Sequence, residues 1–389
     1  MSTARSKLTL GATALAVTLL AACSPGTTDD DGGSATSTGG QDSPVADVQA
    51  DVETAMQPRD EITAPTEELP GDLSSLAGTT VYYVPLTAQI SVFQLYGELL
   101  GEALAEADVD LQVCDGGSNP SQIAGCIDQA VGASAAAIVV DNIPYAMAAN
   151  GLDGARAAGI PVLIANQVVD PQLPADETLA YVSGPAPQML ASAADWIIAD
   201  SNGEATVVIQ KVTDNPSTVA YAEAAEAEFA DRCPDCTVVV NEVSATNFPL
   251  IPSSTSAAIL SNPDVDYVLA EFEFFVQPTI GGIQQSGKAN QIKIVTSAAT
   301  VAGLQQLEEG NLLYANVGQD FSYQGWATAD ALFRLMLGGA EVPEYDIAYR
   351  LFSQENIGDI ELTEDGEASG DWYGPTDYVD EFRALWGLS

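Results

Sequence analysis

Histidine is absent from the 389 residues, and basic side chains are scarce: 11 Lys and Arg stand against 55 Asp and Glu, a formal charge of −44. Without an imidazole, Ser-His and Cys-His catalytic arrangements and His-ligated zinc are excluded. With so few cations, a nucleic-acid partner is excluded, because phosphate binding draws its affinity from clustered Lys and Arg. Adhesion to anionic lipid headgroups fails on the same ground. No segment reaches the roughly 20 consecutive apolar residues that a membrane-crossing helix needs. What the chain does have is apolar bulk, 47% hydrophobic residues, enough at this length for two or three domains with real cores.

The first residues read as an address. Arg5 and Lys7 lead into an apolar stretch from Leu8 to Leu19, followed by Leu20-Ala21-Ala22-Cys23. That is a charged start, a short apolar region and small residues before a cleavage point, so residues 1–22 are expected to be a secretory leader. The Leu-Ala-Ala-Cys string resembles a bacterial lipobox, which implies that Cys23 carries lipid and that the mature protein sits outside the cell, touching the membrane through that lipid only. Residues 23–75, rich in Gly, Ser, Thr, Asp and Pro, read as a disordered acidic tether, with Asp47–Met56 as a candidate short helix.

Four cysteines remain after Cys23. An even number outside the cytosol favours disulfides, and closeness in sequence favours Cys114–Cys126 and Cys233–Cys236. Cys233-Pro234-Asp235-Cys236 also has the spacing of a redox motif, but it follows a helical run where a thiol-activating helix N-terminus would be needed. A structural bridge is therefore expected, and no metal site.

From Thr79 onward short apolar strands alternate with helical patterns: Thr80–Val84, then Val92–Asp108, Val109–Val113, Ser121–Val131, Ala136–Val140, Ala146–Ala158 and Pro161–Ala165. The rhythm begins again at Leu179 and runs to Thr296. Such alternation signals parallel sheets covered on both faces, and its repetition signals two similar doubly wound α/β domains. Ligands of such sheets bind outside the carboxyl ends of the strands, so two facing domains imply a cleft lined by strand-end loops.

From about Leu76 to Glu341 the chain resembles the type I solute-binding proteins of ABC importers, the ribose/galactose-like group. The resemblance rests on Gly159-Ile160-Pro161-Val162-Leu163-Ile164, on Ala133 to Val140, on Asn262-Pro263-Asp264-Val265-Asp266-Tyr267-Val268, and on Leu307-Glu308-Glu309-Gly310 through Gly318-Gln319-Asp320. It implies an N-terminal lobe over 76–176 completed by 318–341, a C-terminal lobe over 177–317, and a multi-strand hinge. Residues 342–389 are left as a strand, a tail and a terminal helix. It also implies a monomeric, cofactor-free receptor that hands a sugar or polyol to permease subunits.

Carried over position by position, the resemblance nominates Gln89 and Phe93 after the first strand, and Asn166 and Gln167 after the fourth. In the second lobe it nominates Tyr221, Phe272 and Ser297, and at the crossover Gln319. Amides dominate this set, where many sugar binders have Asp and Arg, which points to an uncharged ligand. Glu271 and Glu273 lie two apart at a strand end and read first as solvated surface, with ligand contact or a glycosidase-like carboxylate pair as alternatives. That pair gives the competing function, a secreted glycoside hydrolase; a ligand-sensing lipoprotein is a third reading. Gly282 to Ala289 nearly matches a phosphate-cradling loop, but Ala289 has no hydroxyl to offer a magnesium ion.

Overall fold

The computed structural model describes residues 44–339 and 342–388. The leader, Cys23 and the start of the expected tether lie outside the described residues. The described chain opens with α1 (Pro44–Ala55) and enters the first lobe through a 3-10 turn at Leu73–Leu76. There β1 (Thr80–Pro85), α2 (Ser91–Ala105), β2 (Asp110–Val113), α3 (Pro120–Gly132), β3 (Ala137–Asp141), α4 (Tyr145–Ala157), β4 (Val162–Ala165) and β5 (Leu179–Val182) follow. All pair in parallel, in the order β2-β1-β3-β4-β5.

The second lobe holds α5 (Ala186–Asp200), β6 (Thr206–Val212), α6 (Pro216–Arg232), β7 (Thr237–Val243), α7 (Ile251–Ser261), β8 (Tyr267–Ala270), α8 (Val276–Ser286), β9 (Lys293–Ala298), α9 (Val301–Glu308) and β10 (Leu313–Gln319). Then α10 (Phe321–Met336) returns to pack on α2 of the first lobe, and β11 (Tyr349–Ser353) comes back as an antiparallel edge strand beside β10. Short helix α11 (Glu364–Ser369) and α12 (Tyr378–Leu385) follow. The second sheet runs β7-β6-β8-β9-β10-β11, so its parallel part repeats the strand order of the first. The fold is the expected pair of similar doubly wound lobes.

Local sequence explains the helix starts that matter for the cavity. Asn119 precedes Pro120, and its side-chain oxygen accepts from the N–H groups of Ser121 and Gln122 at the head of α3. Asn215 precedes Pro216 and caps α6 in the same way, accepting from Ser217 and Thr218. In both, proline at the first helical position gives up an N–H that has no helical partner anyway. Both disulfides join the expected partners, Cys114–Cys126 and Cys233–Cys236. The Gly282–Ala289 string falls across the end of α8, where Gly287 takes a left-handed φ of 78° as its cap.

Two boundaries differ from expectation. Residues 44–75 are packed and not tether, because Val48, Val52 and Met56 recur four apart and bury one face of α1 against α5 and α6. Asp51 on that helix pairs with Arg232, while Ile62 and Ala64 are buried, the Thr63 carbonyl accepting from the Tyr323 hydroxyl of α10 and the Ala64 N–H donating to Glu381 of α12. Arg334 further fixes the segment by donating to the carbonyls of Glu67 and Glu68. Averaged composition hides such a sparse apolar stripe among acids and small polar residues. The first lobe extends to Val182, not 176, since β5 pairs with β4; a short apolar run does not say which sheet it joins. The tail is shared, with β11 on the second sheet and Phe382 and Trp386 packed on Trp326 and Phe333 of α10.

Candidate ligand-binding site

The carboxyl ends of the strands of the two sheets border a cavity of about 570 Å³. Its lining draws on the loops after β1, β2, β3, β4, β6, β7, β8, β9 and β10, which is where doubly wound sheets place their ligands.

A string of hydrogen bonds forms its polar side. The Gln319 amide donates to Gln324 Oε1 at 2.6 Å, the Gln324 amide donates to Asn166 Oδ1 at 2.8 Å, and the Asn166 amide donates to Asp141 Oδ1 at 2.8 Å. The Tyr83 hydroxyl donates to Asp141 Oδ2 at 2.6 Å. Asp141, the last residue of β3, is fully buried, and that burial pushes its carboxyl up to about 6 against the downward pull of Tyr83, Asn166 and the Asn142 N–H. Asn142 and Asn166 have left-handed φ values of 53° and 54°, which asparagine tolerates and which turn the chain sharply at the two strand ends. Gly184 is fitted to this network: a Cβ there would lie 2.8 Å from both Asn166 Oδ1 and Gln319 Oε1.

The opposite side is aromatic. Phe272 and Phe274 come from the turn after β8, and Phe248 from the 3-10 segment Ala245–Leu250 after β7. On the polar side, Phe93, Tyr96 and Phe321 add aromatic surface next to Tyr83, from α2 and α10. Among the described residues no Lys or Arg lines the cavity; its charged residues are Asp141 and Asp214.

Of the nominated residues, Gln89, Phe93, Asn166, Tyr221, Phe272, Ser297 and Gln319 meet at this cavity. Gln167 does not. It is buried beside the crossover, where it donates to Asn142 Oδ1 and accepts from Ser217 Oγ, so it joins the lobes instead of facing a ligand. The site also holds an acid that was not nominated: Asp141 ends a strand whose preceding residues are wholly apolar, and that break in pattern is the signal that could have found it. Asn215, Thr218, Phe248, Phe274 and Phe321 were missed as well. Their loops differ in length between the lobes, which periodicity does not register. Of the Phe272–Phe275 cluster only Phe275 is fully buried beneath the cavity.

Glu271 and Glu273 are not solvated surface, and neither lines the cavity. Glu271 is fully buried, accepts from the Val212 N–H at 2.7 Å, and has its other oxygen without a partner, so burial raises its carboxyl well above the usual range. Glu273 accepts from Thr300 N–H and hydroxyl and from the Asn316 amide, tying β8 to α9 and β10; burial raises it too. Turned into the protein, the pair cannot flank a glycosidic bond.

Residues 81–340 match the model of a family described as periplasmic binding protein domain. No curated protein matches the chain in sequence. Solved structures share the fold. A solute-binding protein of a 5-methylthioribose transporter from Thermotoga lettingae is 17% identical, with 83% of this chain and 100% of that one covered, at a TM-score of 0.64. A solute-binding protein from Agrobacterium vitis, bound to α-D-tagatopyranose, is 17% identical over 72% and 96%, at 0.64. A Mycobacterium smegmatis protein in complex with β-D-fucofuranose is 20% identical over 72% and 93%, at 0.61.

Proposed function

The chain belongs to the periplasmic binding protein domain family, and from that premise we propose that it is a lipid-anchored, extracytoplasmic receptor that captures an uncharged sugar or polyol and passes it to an ABC permease. The observation that carries the ligand class is the pairing of an amide-and-carboxylate string with aromatic surface around one cavity free of Lys and Arg among the described residues. Hydroxyl groups both donate and accept, so they match amide and carboxylate edges, while aromatic faces cover sugar C–H surface. An anionic ligand would meet Asp141 and Asp214 with no cation to pair it.

In this reading Cys23 holds the protein at the membrane, and the lobes close over the ligand to give the form that the permease recognises. Sugar capture by three of the similar structures supports the class: their bound compounds are a furanose, a pyranose and a methylthio-pentose. The test is a thermal-shift screen of the mature chain over pentoses, hexoses, polyols and small carboxylates. At a hundredfold excess over Kd a true ligand stabilises the fold by about 2.7 kcal/mol. A rise in melting temperature with sugars or polyols alone is the expected result; a rise with carboxylates alone would refute the reading. Radiolabelled palmitate incorporated by wild type and lost in Cys23→Ser checks the anchor.

A further inference from the structure

We propose that the ligand is a two-part molecule, a hydroxylated ring or chain that carries an uncharged planar aromatic substituent, with the substituent lying along Phe272, Phe274 and Phe248. The inference rests on the receptor reading and narrows it.

The three rings form a ladder. Phe272 and Phe274 have centroids 5.7 Å apart and planes within 6° of parallel, and Phe248 follows Phe274 at 6.3 Å and 25°. Phe275, fully buried, backs the ladder at 4.3 Å from Phe274. All three rings of the ladder line the cavity, and Phe248 is 38% exposed, so the ladder reaches the mouth.

Such a surface is wrong for hydroxyl groups. A phenylalanine face offers no conventional donor or acceptor, so each hydroxyl pressed against it loses water without replacement. A sugar can lay one C–H face on one ring, but its edges then need the Asp141–Asn166–Gln319 side. The remaining rungs call for apolar surface, and a planar aromatic group fits by offset or edge-to-face contact. Charge restricts the substituent further. With Asp141 and Asp214 as the charged lining groups, a phosphate or carboxylate would be repelled. The carboxylate of Asp214 is already engaged by the Ser244 hydroxyl and the Ala245 N–H, so it asks for no cationic partner.

The experiment is calorimetry on the mature chain with matched probes: D-xylose, D-glucose and D-galactose, each against its phenyl β-D-glycoside. The expected result is a phenyl glycoside binding roughly tenfold tighter than its parent sugar, the scale of one added aromatic contact. In Phe248→Ala, whose ring is at the mouth, that ratio should fall towards one; the melting temperature of the ligand-free variant reports its folding. Phe274→Leu, which keeps apolar bulk, provides a second variant in which the ratio should also fall. Parent sugars that bind as tightly as their phenyl glycosides would overturn the inference and leave the receptor reading standing. A ratio unchanged in both variants would overturn it as well. Binding by no probe of either kind would overturn both.

Discussion

The third strand of each lobe ends at a carboxylate, and the two have opposite fates. β3 ends on Asp141, which lines the cavity and is held by the Tyr83 hydroxyl and the Asn166 amide. β8 runs straight into Glu271, which lies outside the lining, accepts the Val212 N–H and keeps one buried oxygen unpaired. The topological place is the same, yet one acid lines the cavity and the other is packed away. Strand order sets where a side chain emerges; the donors around it decide what it does.

Removing Asp141 should break this contrast most severely. Asp141→Ala strips the acceptor from Tyr83 and Asn166 and should weaken binding of the best sugar by a hundredfold or more, as expected for loss of a charged hydrogen-bonding group worth roughly 3 kcal/mol. Titration calorimetry checks it, and affinity that survives would move the recognition surface elsewhere. Phe272→Ala tests the opposite side with a smaller expected effect, about tenfold, from one lost ring contact.

Glu271→Gln sharpens the comparison through stability, with ligand affinity unchanged. Because burial raises the folded-state pKa of Glu271 above the unfolded value of about 4.3, the folded form binds the proton more tightly. Its contribution to stability is therefore most favourable below that value and declines as pH rises through the folded pKa. The glutamine variant removes this decline. Its melting temperature should exceed that of wild type by a few degrees near neutral pH, with the advantage shrinking towards about pH 4. An advantage that grows on acidification would contradict the assignment.

Much of the fold was legible because apolar strands and amphipathic helices carry their period openly, twice over. The resemblance placed Asn166, Ser297 and Gln319 at strand ends, and all three border the cavity. Gln167 misled because adjacent residues in a turn point different ways, and its neighbour Ser217 is distant in sequence. The burial of Glu271 and Glu273 could not be read, since their donors come from β6, Thr300 and Asn316, remote segments that only the folded sheet brings together. The stripe on α1 was written at helical spacing but diluted by its acidic surroundings.

That helix has a mechanical consequence. α1 grips the second lobe and the chain leaving it bonds to α10 and α12, while the tail runs the same way, from β11 on the second sheet to α12 on α10. Both segments thus act as splints between the lobes. Any swing of one lobe against the other must slide these splints or flex the strands between them.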